Sequence, residues 1–296
     1  MEGEYSYDPN SFEVTEKMIE DYNRLGFIIV RGLLDAQEMA LLRKTLEGSD
    51  AIMKHAYQIP DGLGKSVGMC IWSHPGNDIT GIISRSEKLV RTSEKLIGHG
   101  EIYHYHTKLP IKEPNTGGSF RWHQDYGYWY QNGNLFPDHL NTVYIAYDKN
   151  DRENGCMQVL VGSHKAGRQT HHRVGGQNGI DEERIEHLAK VCPLKYVELE
   201  PGDALIFNAN LIHKSDANNS NKRRWSFLVS YNTKENNPVY VHHHAQYTPL
   251  DVVPNSAIKA CANFTDMTGK EFLDPSIDKT VIADKSNPVK IPKTSE

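Results

Sequence analysis

Residues 121–130 read RWHQDYGYWY, a run that sets His123 and Asp125 two positions apart among aromatic side chains. An extended chain sends alternate side chains to one side, so on a strand this pair reaches a common point without bending the backbone. Imidazole nitrogen with carboxylate oxygen suits a borderline divalent ion, and two histidines with one carboxylate is the ligand set of non-haem Fe(II) oxygenases. Alone, the pair fits a strand carrying a hydrogen-bonded surface histidine equally well, so its surroundings decide. Downstream lie short apolar runs closed by Gly, Asn, Asp or Pro: LNTVYIAYD (140–148), CMQVLVGSH (156–164), KYVELEPGDALIFN (195–208) and RRWSFLVSYNT (223–233). Strands at this spacing predict a sandwich or barrel.

Upstream the period changes. VTEKMIEDYNRL (14–25) has apolar residues at helical spacing, with Thr15 as N-cap and Gly26 just past the end. GFIIVRGLL (26–34) reads as a strand, and DAQEMALLRKTLEG (35–48) as a second helix opened by Asp35 and closed by Gly48. Further helices are expected at 86–98 and at 179–191. Residues 55–85, rich in Gly and aromatics, are expected to form a lid that orders on substrate binding and shields Trp72 from quenchers. The tail from about 275 to 296 is polar, with little to bury. The whole chain, 1–296, reads as one domain: helical support over about 14–98, then a β core over about 101–240.

A net charge of −5 over 296 residues gives no electrostatic case for nucleic acid. No apolar run is long enough to span a membrane. The expected partner is a small molecule, and the chain a monomer or homodimer. Four scattered cysteines without a CxxC spacing argue against a disulfide framework or structural zinc. Without a signal, transit or peroxisomal pattern, the cytoplasm is the expected location.

A third ligand must come from elsewhere among the 15 histidines. His213 follows the strand PGDALIFN and precedes a polar loop that leads to Arg224 on the next strand. If those strands pair antiparallel, Arg224 returns beside the metal, where a cation has work only if an anionic ligand approaches. Arg223 points to the opposite face. The adjacent histidines at 171–172 and 242–244 cannot converge on one ion from an extended strand and read as loop or pocket-rim residues.

WHQD (122–125), NGCMQVLVGSHK (154–165), PGDALIFNANLIHKS (201–215) and Arg224, in this order, resemble the phytanoyl-CoA dioxygenase family of Fe(II)/2-oxoglutarate oxygenases, from about residue 26 to 235. The resemblance implies a mostly β fold, a double-stranded β-helix or jelly roll with helices on one side. His123, Asp125 and His213 would be the catalytic Fe(II) ligands. Arg224 would bind the distal carboxylate of 2-oxoglutarate, aided by Ser215, with Tyr144, Lys108 and Gln124 as further co-substrate contacts. Oxygen is the other co-substrate, and ascorbate a supporting reductant. Trp129 stands where amino-acid-type hydroxylases of the family carry a tryptophan; Tyr126 and His106 join it as candidate substrate contacts. His164, in GSHK, would close a structural turn. Halogenating relatives have Ala or Gly at the carboxylate position, so Asp125 implies hydroxylation.

Three functions compete. The first is a hydroxylase of a small amino-acid-like or ectoine-like metabolite, releasing succinate and CO2; a fatty acyl-CoA 2-hydroxylase is its variant. The second is a non-catalytic metal- and 2-oxoglutarate-binding jelly roll, which loss of Asp125 or Arg224 would have favoured. The third is a zinc hydrolase on the same ligands, which leaves Arg224 without a task.

Overall fold

A computed structural model describes residues 2–174, 176–277 and 289. Apart from 275–277 and Val289, the expected polar tail lies outside the described residues. The largest sheet runs Glu4–Ser6, Phe27–Arg31, Ala204–Asn208, Leu140–Ala146, Arg224–Thr233, Ile102–Lys112, Ser66–Ser73, Glu271–Phe272, with Tyr57–Pro60 also pairing to Ser66–Ser73. Four shorter strands form a second sheet in the order Leu194–Val197, Met157–Leu160, His213–Ser215, Phe120–His123.

Alternation in the central strands explains why a nearly continuous apolar run is needed there. In Ala204–Asn208, Leu205 and Phe207 enter the core between the sheets with Tyr144, Met157, Val159 and Leu228. Ala204 and Ile206 face the other way, into a larger core with Met18, Leu42, Ile83 and Val90 of the helices. A strand buried on both faces has no polar positions to spare. The mostly β architecture, with helices covering one face of its larger sheet, is that of the expected jelly roll.

The helix ends follow the sequence reading. The side chain of Thr15 accepts from the Met18 amide at the start of Glu16–Leu25, and Gly26 ends that helix at φ 87°. Any β-carbon on Gly26 would also strike the His164 ring, so this position needs glycine twice over. Asp35 accepts from the amides of Gln37 and Glu38 to start Ala36–Leu46, while the Glu38 carboxylate accepts from the Asp35 amide. The helices expected at 86–98 and 179–191 are observed as Glu87–Ile97 and Glu182–Ala189.

Glu38 also takes the buried Lys88 ammonium at 2.6 Å, and Lys88 donates to the Leu33 carbonyl at 2.9 Å. Because removing one partner strands a buried charge, Lys88→Met is expected to lower unfolding free energy by about 3–5 kcal/mol. Adding Glu38→Gln, which can still accept from the Asp35 amide, should restore part of it. Chemical denaturation midpoints check both.

Two expectations change. Residues 195–208 are not one strand: Leu194–Val197 belongs to the small sheet and Ala204–Asn208 to the large one. The chain crosses between them at Pro201–Gly202, where Gly202 has φ +91° and packs so tightly on the Leu34 carbonyl that no β-carbon fits. Residues 55–85 are not a lid. They include the strands Tyr57–Pro60 and Ser66–Ser73 and the helix Ile79–Arg85, and Trp72 is 1% exposed in the core. Its apolar residues alternate over short runs that a Gly-rich composition masks. A soluble quencher should therefore fail to reach Trp72 with or without substrate. Among the described residues no helix is long and apolar enough to cross a membrane.

Candidate active site

The small sheet delivers two histidines directly. His123 ends Phe120–His123, His213 begins His213–Ser215, and the two are register partners with ring centroids 4.1 Å apart. Asp125 arrives differently. The strand stops at His123, and Asp125 is the first residue of a short helix, Asp125–Trp129. The strand pleat assumed for this pair is thus replaced by a strand-to-helix turn, held by the Tyr126 amide donating to the Ala209 carbonyl at 2.9 Å.

Ligand-capable atoms of His123, Asp125 and His213 all lie within 4.8 Å of one another. The Nδ1 of His123 lies 2.7 Å from the Arg121 carbonyl, and that of His213 lies 2.9 Å from the Leu211 carbonyl. Carbonyl oxygens only accept, so each Nδ1 carries the proton and each Nε2 keeps its lone pair. Burial holds both imidazoles below the usual histidine range, His123 strongly, against the opposing pull of Asp125. For Asp125 burial acts to raise the pKa, but the Lys108 ammonium and the two histidines outweigh it and hold the carboxyl low. Two neutral imidazoles and one carboxylate are the protonation states that a divalent metal requires, so these residues fit one.

Asp125 is oriented from outside the triad. Its Oδ1 accepts from Lys108 Nζ at 3.0 Å, and its Oδ2 from Thr142 Oγ1 at 3.3 Å. Beside the triad a cavity of about 70 Å³ is lined by Lys108, Tyr144, Ser215 and Arg224. Arg224 is 2% exposed and donates to the Tyr144 hydroxyl at 2.8 Å; its Nε has no partner among the described residues. Tyr144 also donates to Asn150 and accepts from Ser226. Arg223, on the opposite face, pairs with Glu47 at 2.6 Å and Asp148 at 3.1 Å.

Lys112, the register partner of Arg224, went unnoticed in the sequence. Its buried ammonium donates to Ser215 Oγ at 2.7 Å and the Asp216 carbonyl at 2.6 Å. Burial, and then the Arg224 charge, hold its pKa well below the ordinary lysine range. The signal was present: alternation in IYHYHTKLPIK puts Lys108 and Lys112 on the same face.

A second cavity of about 80 Å³ shares Lys108, His123 and Asp125 and is otherwise walled by Ile59, Met69, Ile71, Phe120, Tyr128, Trp129 and His244. Trp129 is therefore at the site, with the Lys108 ammonium 5.0 Å from its ring. Tyr126 is not: its hydroxyl turns away to the Leu135 carbonyl at 2.6 Å. His106 is fully buried, packed against Trp129 and His244 at ring distances of 5.2 and 4.7 Å, and borders neither cavity. Gln124 also turns away. Its amide bonds the carbonyls of Gly167 and Asn210 and the Gln169 amide, while its backbone N–H donates to His171 Nε2. It is a clamp on residues 167–171, because neighbours of an outward-turned strand end face the opposite side from His123. His164 bonds the Asn23 carbonyl at 3.1 Å, a structural contact.

The family model described as phytanoyl-CoA dioxygenase matches residues 22–226. The L-proline trans-4-hydroxylase of Streptomyces griseoviridis is 27% identical, over 74% of this chain and 87% of its own. The ectoine dioxygenase of Stutzerimonas stutzeri is 22% identical, over 84% and 91%. In structure, EctD from S. alaskensis with 2-oxoglutarate and 5-hydroxyectoine superimposes with a TM-score of 0.69 at 20% identity, over 82% of this chain and 88% of that one. A match spanning residues 22–226 of 296, on this fold and around this His–Asp–His group, makes the chain a member of the phytanoyl-CoA dioxygenase family.

Proposed function

We propose that this protein is an Fe(II)/2-oxoglutarate-dependent hydroxylase of a small, amino-acid-like metabolite. The observation that carries the reading is the convergence of two neutral imidazoles and a carboxylate beside a buried, incompletely paired arginine. His123 and His213, through Nε2, and Asp125 would hold the iron. Iron bound there supplies dioxygen chemistry, in which 2-oxoglutarate goes to succinate and CO2 and one oxygen atom enters a C–H bond of the substrate.

The chain's own residues do the rest. Arg224, held by its hydrogen bond to the Tyr144 hydroxyl, neutralises and orients the distal carboxylate of 2-oxoglutarate, and a guanidinium fork sets its direction as a single ammonium would not. Ser215, whose Oγ accepts from Lys112, keeps its own hydroxyl proton for the same carboxylate. Lys108 pins Asp125 in one rotamer. Trp129, Phe120, Met69 and the isoleucines keep water from the place where the substrate's carbon sits.

The relatives that act on proline and ectoine support a compact metabolite. So does the size of the substrate cavity. An acyl-CoA substrate would need free cations at the mouth, yet Arg223 is paired and Arg224 is buried.

The test is succinate formation from 2-oxoglutarate by protein loaded with Fe(II) without oxygen and then aerated. Turnover by the wild type, absent without iron, is expected. Failure of the iron-loaded protein to bind 2-oxoglutarate at millimolar concentration would overturn the reading.

A further inference from the structure

The family match ends at residue 226, but one wall of the substrate cavity comes from beyond it. After the strand Arg224–Thr233 and a turn at Lys234–Asn236, residues 237–247 form a closed loop. Its neck is tied by Asn237, whose side-chain oxygen accepts from the Tyr247 amide at 2.6 Å and whose nitrogen donates to Gln246 at 3.1 Å. Its flank is tied to residues 131–133, with the Val239 amide donating to the Gly133 carbonyl at 3.0 Å and the Tyr240 hydroxyl to the Gln131 carbonyl. A loop closed at its neck is a compact body that can present side chains in a fixed direction. This one leaves Val241 85% exposed at its tip yet buries His244 to 8%.

His244 sits against the rings of Tyr105 and His106, at 5.1 and 4.7 Å, and faces the cavity. Neither of its ring nitrogens has a hydrogen-bond partner among the described residues. Neither nitrogen is among the fully buried atoms left without a partner, so the ring edge is accessible to a ligand in the cavity. Ile59, Met69, Ile71, Phe120 and Trp129 form the apolar part of the wall around it, and the Tyr128 hydroxyl is already engaged with the Asn178 carbonyl at 2.8 Å. Besides the candidate metal ligands His123 and Asp125, Lys108 is the other polar group, and its one hydrogen bond goes to Asp125, so it has donors to spare. Two donors on an apolar wall match an acceptor on a saturated body.

We infer that His244 is a substrate-recognition residue, donating with Lys108 to a carboxylate of the substrate. This rests on the proposed hydroxylase reading and deepens it: the substrate is a small carboxylic acid with an aliphatic or cyclic body. The residue lies on a loop beyond the residues the family model matches.

The experiment is calorimetry on protein loaded with Mn(II) and 2-oxoglutarate, which does not turn over. L-Proline, L-pipecolate and L-valine are titrated alongside their carboxamides. At least one acid should bind, its amide at least ~10-fold more weakly. His244→Ala should weaken that acid by ~10-fold or more, the loss of a hydrogen bond to a charged group. His244→Gln should recover part of it, and neither variant should alter 2-oxoglutarate affinity. Equal binding of acid and amide, an acid affinity unchanged in His244→Ala, or no acid bound by wild type that does bind 2-oxoglutarate would each overturn the inference. Failure to bind 2-oxoglutarate would overturn the hydroxylase reading with it.

Discussion

His213→Ala loses turnover by about 10³-fold or more, since a metal supplies several kcal/mol of stabilisation to the reacting centre and each 1.36 kcal/mol is tenfold in rate. The imidazole is irreplaceable by position. It is the register partner of His123, it is buried, and its Nδ1–H is committed to the Leu211 carbonyl, so Nε2 is presented at one angle. No nearby histidine can substitute: His171 is locked between Gln169 and Gln124, and burial keeps it neutral with a pKa of about 4. Iron content after dialysis and succinate formation are the measurements. The folded state should survive, because the His213 side chain donates only to the backbone two residues before it. A variant that kept half the wild-type rate with full iron would remove His213 from the metal site.

Arg224→Met should raise the KM for 2-oxoglutarate by roughly 100-fold, within the 2–5 kcal/mol that truncating one member of a buried charge pair costs. Iron binding should be unchanged. Arg224→Lys should recover little, since an ammonium cannot form the planar fork. Arg224 and Lys112 are buried register partners of like charge, so the methionine variant should unfold at a temperature no lower than wild type. That combination separates a binding role from a structural one. An unchanged KM would place the co-substrate elsewhere.

Most of the site was legible because its chemistry is written in residue types that strands and turns rarely combine by chance. His123, Asp125, His213 and Arg224 each sit close to a turn or strand end: the turn at 209–210 before His213, the polar run 216–222 before Arg224. Residues that fail are those whose role depends on direction. Gln124 and Tyr126 lie within three residues of His123 but turn away from it, because the strand gives way to a helix there. Lys112 was missed for the opposite reason, being distant in sequence from the motifs and brought in by the large sheet, whereas His244, read as a loop or pocket-rim residue, does line the cavity.

What the sequence determined alone is local: helix caps at Thr15 and Asp35, the apolar alternation of the central strands, and the identity of the metal-type ligands, all set by periods and residue chemistry within a few positions. What only the tertiary structure decided is how distant strands pair. Pairing of Ile102–Lys112 with Arg224–Thr233 puts Lys112 beside Arg224, the Ser66–Ser73 hairpin turns a supposed lid into core, and closure of residues 237–247 brings His244 to the cavity. Such contacts arise from burying both faces of a sheet, a requirement of the whole chain that no short stretch of it encodes.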